Sequence, residues 1–233
     1  MTHASRAAAD PATPVAPVEP AVPGRAFVTL GWAVGALVVA VVLALTFPSW
    51  RFQVPFGWSI AANYLLTWGP LTIALVATFA FWRRFVGLRL ADVYLGLMIG
   101  VVARAVGIIA QLLTTGQLPG AGLMLGDVTA LYVFTAVLAP VVLAPLVEEP
   151  FFRGLLQGSL DRTVPWWLSL GLTSVVFTVV HTIAEGWSVS LVVTLLAYAL
   201  LAGYTTQQTR RLGPAIIGHA VFNGVAALIA WPW

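Results

Sequence analysis

Leu143-Ala-Pro-Leu-Val-Glu-Glu-Pro-Phe-Phe-Arg153 places two adjacent carboxylates and a guanidinium inside an apolar run that begins near Val128. On insertion scales an acid or an Arg near the middle of a bilayer costs roughly 2.5–3.5 kcal/mol. Three such groups in one segment therefore require partners or a wet cavity. The whole chain holds eight acids, and two of them stand side by side here. This stretch reads as the chemical centre of a helix bundle within the membrane, with Glu148 as its reactive group.

Composition identifies the surroundings as lipid. The 233 residues are 60% hydrophobic and 8% charged, with a mean hydropathy of +0.96. A soluble domain carries about 25% charge. The expected fold class is therefore all-α, a polytopic transmembrane bundle with an intramembrane polar cavity. All 11 cations are Arg and they are scattered between apolar runs, so no nucleic-acid partner is expected. The absence of Cys excludes disulfides, thiol nucleophiles and Cys-ligated metals.

Outward from the diacid, the chain divides into a tail and apolar runs. Residues 1–25, rich in Ala and Pro, read as a disordered tail. Residues 26–127 are assigned to N-terminal transmembrane helices and 128–233 to a catalytic helical core. About seven spans are expected, at 26–47, 59–82, 93–114, 129–160, 166–183, 188–206 and 214–231. The fourth is too long for a simple crossing and predicts tilt, or a kink at Pro140, Pro145 or Pro150. Gly31-xxx-Gly35 and Gly96-xxx-Gly100 predict close helix approach.

Orientation comes from the Arg pattern. Arg83, Arg84 and Arg89 follow the second span, Arg162 the fourth, and Arg210 and Arg211 the sixth. The opposite loops offer Arg51. The positive-inside rule then puts the N-terminus in the cytoplasm of a multi-pass protein of the cell (inner) membrane, with Trp231-Pro-Trp233 outside. Trp50, Trp58, Trp82, Trp166, Trp187 and Trp231 sit near span ends, as an aromatic belt requires.

Two later spans each bury a histidine. Phe177 and His181 are four apart and share a helix face, as do His219 and Asn223. Glu149 and Arg153 have the same spacing, while Glu148 points about 100° away. That asymmetry predicts Glu149 neutralised by Arg153 and Glu148 free to titrate. Measured along straight helices from the Arg-rich end, Glu148, His181, Asn223 and His219 fall at roughly 18, 24, 16 and 10 Å. One shared pocket therefore requires tilted helices.

Glu148-Glu149-x-x-x-Arg153, Phe177-x-x-x-His181 and His219-x-x-x-Asn223, in that order, resemble the three-motif signature of the CPBP intramembrane protease family. That family comprises the type II CAAX prenyl endopeptidases and bacteriocin-processing relatives. The resemblance runs from about Thr129 to Trp231 and includes Thr209-Arg-Arg-Leu-Gly-Pro214. It implies an endopeptidase hydrolysing peptide bonds of membrane-associated, lipid-modified or unmodified, peptides and proteins. By the resemblance, Glu148 activates water with His181 assisting, and His219 and Asn223 form an oxyanion site. Glu149, Arg153 and Phe177 are supporting residues. The family has also been described as zinc-dependent, with Glu148, His181 and His219 then as ligands. Sequence leaves the glutamate and zinc routes both open, although the His-Glu-x-x-His zinc motif is absent.

Two other readings compete with the enzyme. One is a non-catalytic membrane partner or immunity protein that retains the signature. The other is a proton-coupled transporter, since intramembrane Glu, Arg and His also mark proton paths. Arg104, midway along the third span, is expected to face the cavity as a countercharge to the diacid or a clamp for a substrate carboxylate. Asp127, Asp161 and Glu185 fall near loops and are expected to be solvated. The site is expected to open toward the cytoplasm or the inner leaflet.

Overall fold

The structure, a computed structural model, describes residues 23–47, 56–119 and 130–229. Most of the expected tail, Trp50, Arg51, Asp127 and Trp231 lie outside the described residues.

Among the described residues the chain is helical and contains no strand. The principal helices are α1 (Pro23–Thr46), α2 (Phe56–Ala77), α3 (Leu90–Thr115), α4 (Phe134–Leu160), α5 (Trp166–Glu185), α6 (Val189–Thr209) and α7 (Gly213–Ile229). Six of them carry segments long and apolar enough to cross a membrane. The seventh, α7, has 17 residues, about 25 Å of helix and short of the roughly 30 Å hydrocarbon core. The protein is a multi-pass integral membrane protein, and its outer surface is correspondingly apolar. Val34, Val38, Val42 and Leu45 on α1 are all exposed.

Successive helices run back and forth, so each end of the bundle collects alternate termini. One end carries Arg83, Arg84, Arg89, Arg162, Arg210 and Arg211. The other carries the ends of α1, α3, α5 and α7 and the starts of α2, α4 and α6. Trp58, Trp166 and Trp187 are exposed at helix ends, as a belt requires. Trp82 instead turns inward, its Nε1 donating to the Leu75 carbonyl at 2.8 Å.

Close packing of α3 on α7 decides the centre of the bundle. A Cβ on Gly96 would stand 2.6 Å from Ile217 Cβ, and one on Gly100 2.6 Å from Val221 Cβ. Gly218 reciprocates against Ile99 at 2.9 Å. Only hydrogen fits at these crossings, which is how small residues let membrane helices approach. Gly31 and Gly35 meet nothing within 4 Å, so that expected contact is not made among the described residues.

The long fourth span absorbs its prolines by widening. Phe134–Leu143 and Pro150–Gln157 are π-helical, with Ala144–Glu149 a normal α-helical turn between them. The Ala144 N–H reaches back to the Ala139 carbonyl, five residues away. The second wide stretch loses no backbone to lipid, because Pro150–Gln157 is packed inside the protein. From Glu148 to Ser159 every residue is buried. Before that point α4 is partly open.

The Arg-rich end is tied by an ion pair. Asp92, fully buried at the start of α3, accepts Arg211 Nε at 3.0 Å on both carboxylate oxygens, and the Arg89 N–H at 2.8 Å. Arg210 takes the left-handed conformation (φ 55°) that ends α6 and turns the chain toward α7.

Candidate active site

The alternation of α6 and α7 against α4 gathers the motif residues at mid-bundle. Glu149 is completely buried on the α4 face that carries Arg153 one turn later. Its Oε2 accepts Arg153 Nε at 3.3 Å. Its Oε1 lies 2.9 Å from His219 Nδ1 on α7 and 2.9 Å from the Tyr198 hydroxyl on α6. The Tyr198 hydroxyl also lies 3.1 Å from the Ala215 carbonyl and shares its one proton between the two. The Arg153 guanidinium is 5.0 Å from the centre of the Phe177 ring. Glu149 is thus a structural anion whose charge and lone pairs are met from three helices.

Glu148 faces another way. Its Oε1 accepts Trp68 Nε1 from α2 at 3.1 Å. Its Oε2 lies 3.3 Å from His181 Nε2 on α5, but the pair is not aligned as a hydrogen bond, and Oε2 has no hydrogen-bond partner. The imidazole is oriented from behind: His181 Nδ1 is 2.8 Å from the Phe177 carbonyl, which can only accept, so Nδ1 carries the proton. In the neutral ring Nε2 is then an acceptor. Phe177 holds the ring in place by stacking at 4.1 Å. With the ring neutral, Oε2 and Nε2 are two acceptors 3.3 Å apart, and a molecule that donates two protons satisfies both. Water is such a molecule.

Asn223 is anchored by a consequence of the prolines. The Pro140 carbonyl would meet the N–H of residue 145 in a wide turn, but Pro145 has none. Asn223 Nδ2 fills that role, donating to Pro140 O at 2.7 Å. One proton of the amide is used; the second remains for another acceptor.

These groups share a cavity of about 1370 Å³ lined by Glu148, His181, His219 and Asn223. The unequal depths expected from straight helices are absorbed by the packing. Arg104 lines the same cavity, donating Nε and Nη2 to the Phe222 carbonyl at 3.2 and 2.8 Å, with its guanidinium 3.9 Å above the Phe222 ring. Its hydrogen bonds go to Phe222, and the cation bonded to the diacid is Arg153.

The three-ligand zinc set does not fit. Among the described residues no three His, Asp or Glu side chains converge as metal ligands. His219 Nδ1 is taken by Glu149, and of the two imidazoles Glu148 lies against that of His181.

Residues 129–225, less than half of the chain, match the family described as Type II CAAX prenyl endopeptidase Rce1-like. Over this segment the chain is similar to that family. No curated protein and no solved structure matches the chain. All three motifs of the endopeptidase signature lie within the matched segment. Two residues in contact with the diacid carry no motif signal. Trp68 sits in the half outside the match, and its only mark in sequence is a Trp at mid-span instead of at a span end. Tyr198 is one of two tyrosines in α6 and stands in an apolar stretch.

Proposed function

We propose that the protein is an intramembrane endopeptidase in which Glu148 activates water for attack on a peptide carbonyl. The observation that carries this reading is the approach of Glu148 Oε2, which has no hydrogen-bond partner, to 3.3 Å from His181 Nε2 on the wall of a cavity within the bundle. Glu148 takes a proton from the water as its oxygen bonds to the carbonyl carbon, and His181 holds the same water through Nε2. A positioned base of this kind contributes about 10²–10⁴-fold. When the C–N bond breaks, Glu148 returns the proton to the departing amine.

The carbonyl oxygen gains charge during attack and needs donors. Asn223 supplies the second proton of Nδ2, on an amide already fixed by Pro140. His219 gives its Nδ1 proton to Glu149, so Nε2 donates only when the ring carries both protons. Donors preorganised in this way are typically worth about 2.7–4 kcal/mol each to the transition state. The substrates are membrane-associated peptides or proteins, lipid-modified or not.

The test is cleavage of membrane-inserted reporter peptides by detergent-purified protein in ¹⁸O-water. The proposal expects one ¹⁸O in the new carboxylate and activity that survives a chelator. Absence of any cleavage by folded protein, or activity abolished by chelation and restored by zinc, contradicts it.

A further inference from the structure

Among the described residues the cavity lining runs to one end of the bundle, and that end can be compared with the charges. Its lining reaches Phe47 at the end of α1, Ser59 near the start of α2, Ala136 near the start of α4, Glu185 at the end of α5 and Ala227 near the end of α7. All five lie at the same end of the bundle. The other direction is packed shut. Phe151, Phe152, Leu155 and Leu156 on α4 are 0–4% exposed, Phe85 3% and Leu212 2%. The Leu212 N–H is bonded to the Phe85 carbonyl at 2.9 Å, and Asp92 with Arg211 clamps the same end.

The shut end is the one that carries Arg83, Arg84, Arg89, Arg162, Arg210 and Arg211. At the open end the connections carry an exposed acid, Glu185, and one Arg in sequence, Arg51, against six at the shut end. Arg-rich connections stay on the cytoplasmic side during insertion. Two expectations from sequence, an Arg-rich cytoplasmic end and a site open to the cytoplasm, therefore exclude one another in this fold. The Arg pattern is the stronger of the two, because it is spread over three separate connections.

We propose that the reaction site is entered from the face of the membrane opposite the cytoplasm, and that its substrates are peptide segments exposed on, or inserted from, that face. The word substrate rests on the endopeptidase reading above; the direction of entry does not. Glu148 lies roughly 20 Å along α4 from the mouth at the rise of a helix. A segment reaching it must enter extended or unwound, with Asn63 and Tyr64 of α2 on one wall and Arg104 of α3 deeper in.

The chain has no Cys, so single cysteines report topology without background. Glu185→Cys marks the mouth, Asn63→Cys the cavity wall, and Leu88→Cys the shut end, where Leu88 is 69% exposed. Each variant is expressed in intact cells and treated with a small membrane-impermeant thiol reagent. The expected result is labelling of Glu185→Cys and Asn63→Cys in intact cells, and of Leu88→Cys only after the cells are opened. Labelling of Leu88→Cys in intact cells, or reaction of Asn63→Cys only after opening, overturns the proposal. Labelling needs no turnover, so its outcome is independent of whether Glu148 is a catalytic base.

Discussion

At the residue scale, two adjacent glutamates have opposite environments. Glu149 is held by Arg153, His219 and Tyr198, whereas Glu148 keeps an unpartnered oxygen beside His181. Removing one member of a buried pair strands the other charge and costs about 3–5 kcal/mol. Arg153→Met is therefore expected to lower thermal stability sharply. Glu148→Gln, which keeps an acceptor for Trp68, should melt close to wild type; melting curves in one detergent compare the two. Arg104→Met keeps an apolar contact with Phe222 but removes the cavity cation. If Arg104 clamps a substrate carboxylate, KM rises for peptides carrying one while kcat changes little; unchanged folding and turnover would dismiss the clamp. The spacing of motif residues made the Glu149–Arg153 pair legible in advance. Trp68 and Tyr198 were not, because an uncharged aromatic in an apolar helix looks the same whether it packs or donates a hydrogen bond.

At the element scale, crossings and prolines set the geometry. A side chain at Gly100 meets Val221 at overlap distance, so Gly100→Val should separate α3 from α7 and cost about 1–3 kcal/mol. Gly31→Ala faces open space and should change stability by less than about 0.5 kcal/mol. Equal melting shifts for the two would contradict the packing described. Pro145→Ala restores an N–H that can bond the Pro140 carbonyl, releasing Asn223 from its anchor. The expected outcome is a folded protein with reduced kcat. Span positions were readable from hydropathy, and so was the excess length of the fourth. Its solution by two π-helical stretches was not, since sequence locates a proline but not where the freed carbonyl finds its partner. Of the two glycine pairs, only packing distinguishes the one that meets a neighbour.

For the whole molecule, one sealed end and one open end follow from burial along α4. The sealed end also holds a residue expected to be solvated: Asp161, just beyond α4, is half-buried and accepts Gln207 Nε2 at 2.8 Å. Burial raises its carboxyl above the ordinary range, against the opposing pull of Gln207, Ser169 and Arg210. A raised folded value means the protonated form is favoured by folding. Its contribution is most favourable below the unfolded value and is lost as pH rises through the folded one. Asp161→Asn should therefore gain stability near neutral pH, with the gain shrinking as pH falls toward about 4. Thermal melts at several pH values check the sign. Fold class and the motif cluster were legible because charge is costly in lipid and the scarce polar residues had to meet somewhere. The direction of the cavity was not, since it depends on which half of α4 its neighbours cover. The most direct measurement is peptide cleavage by wild type and Glu148→Gln at equal folded concentration. A fall of about 10²–10⁴-fold with unchanged melting is the predicted result. Equal cleavage by the two proteins would contradict the account.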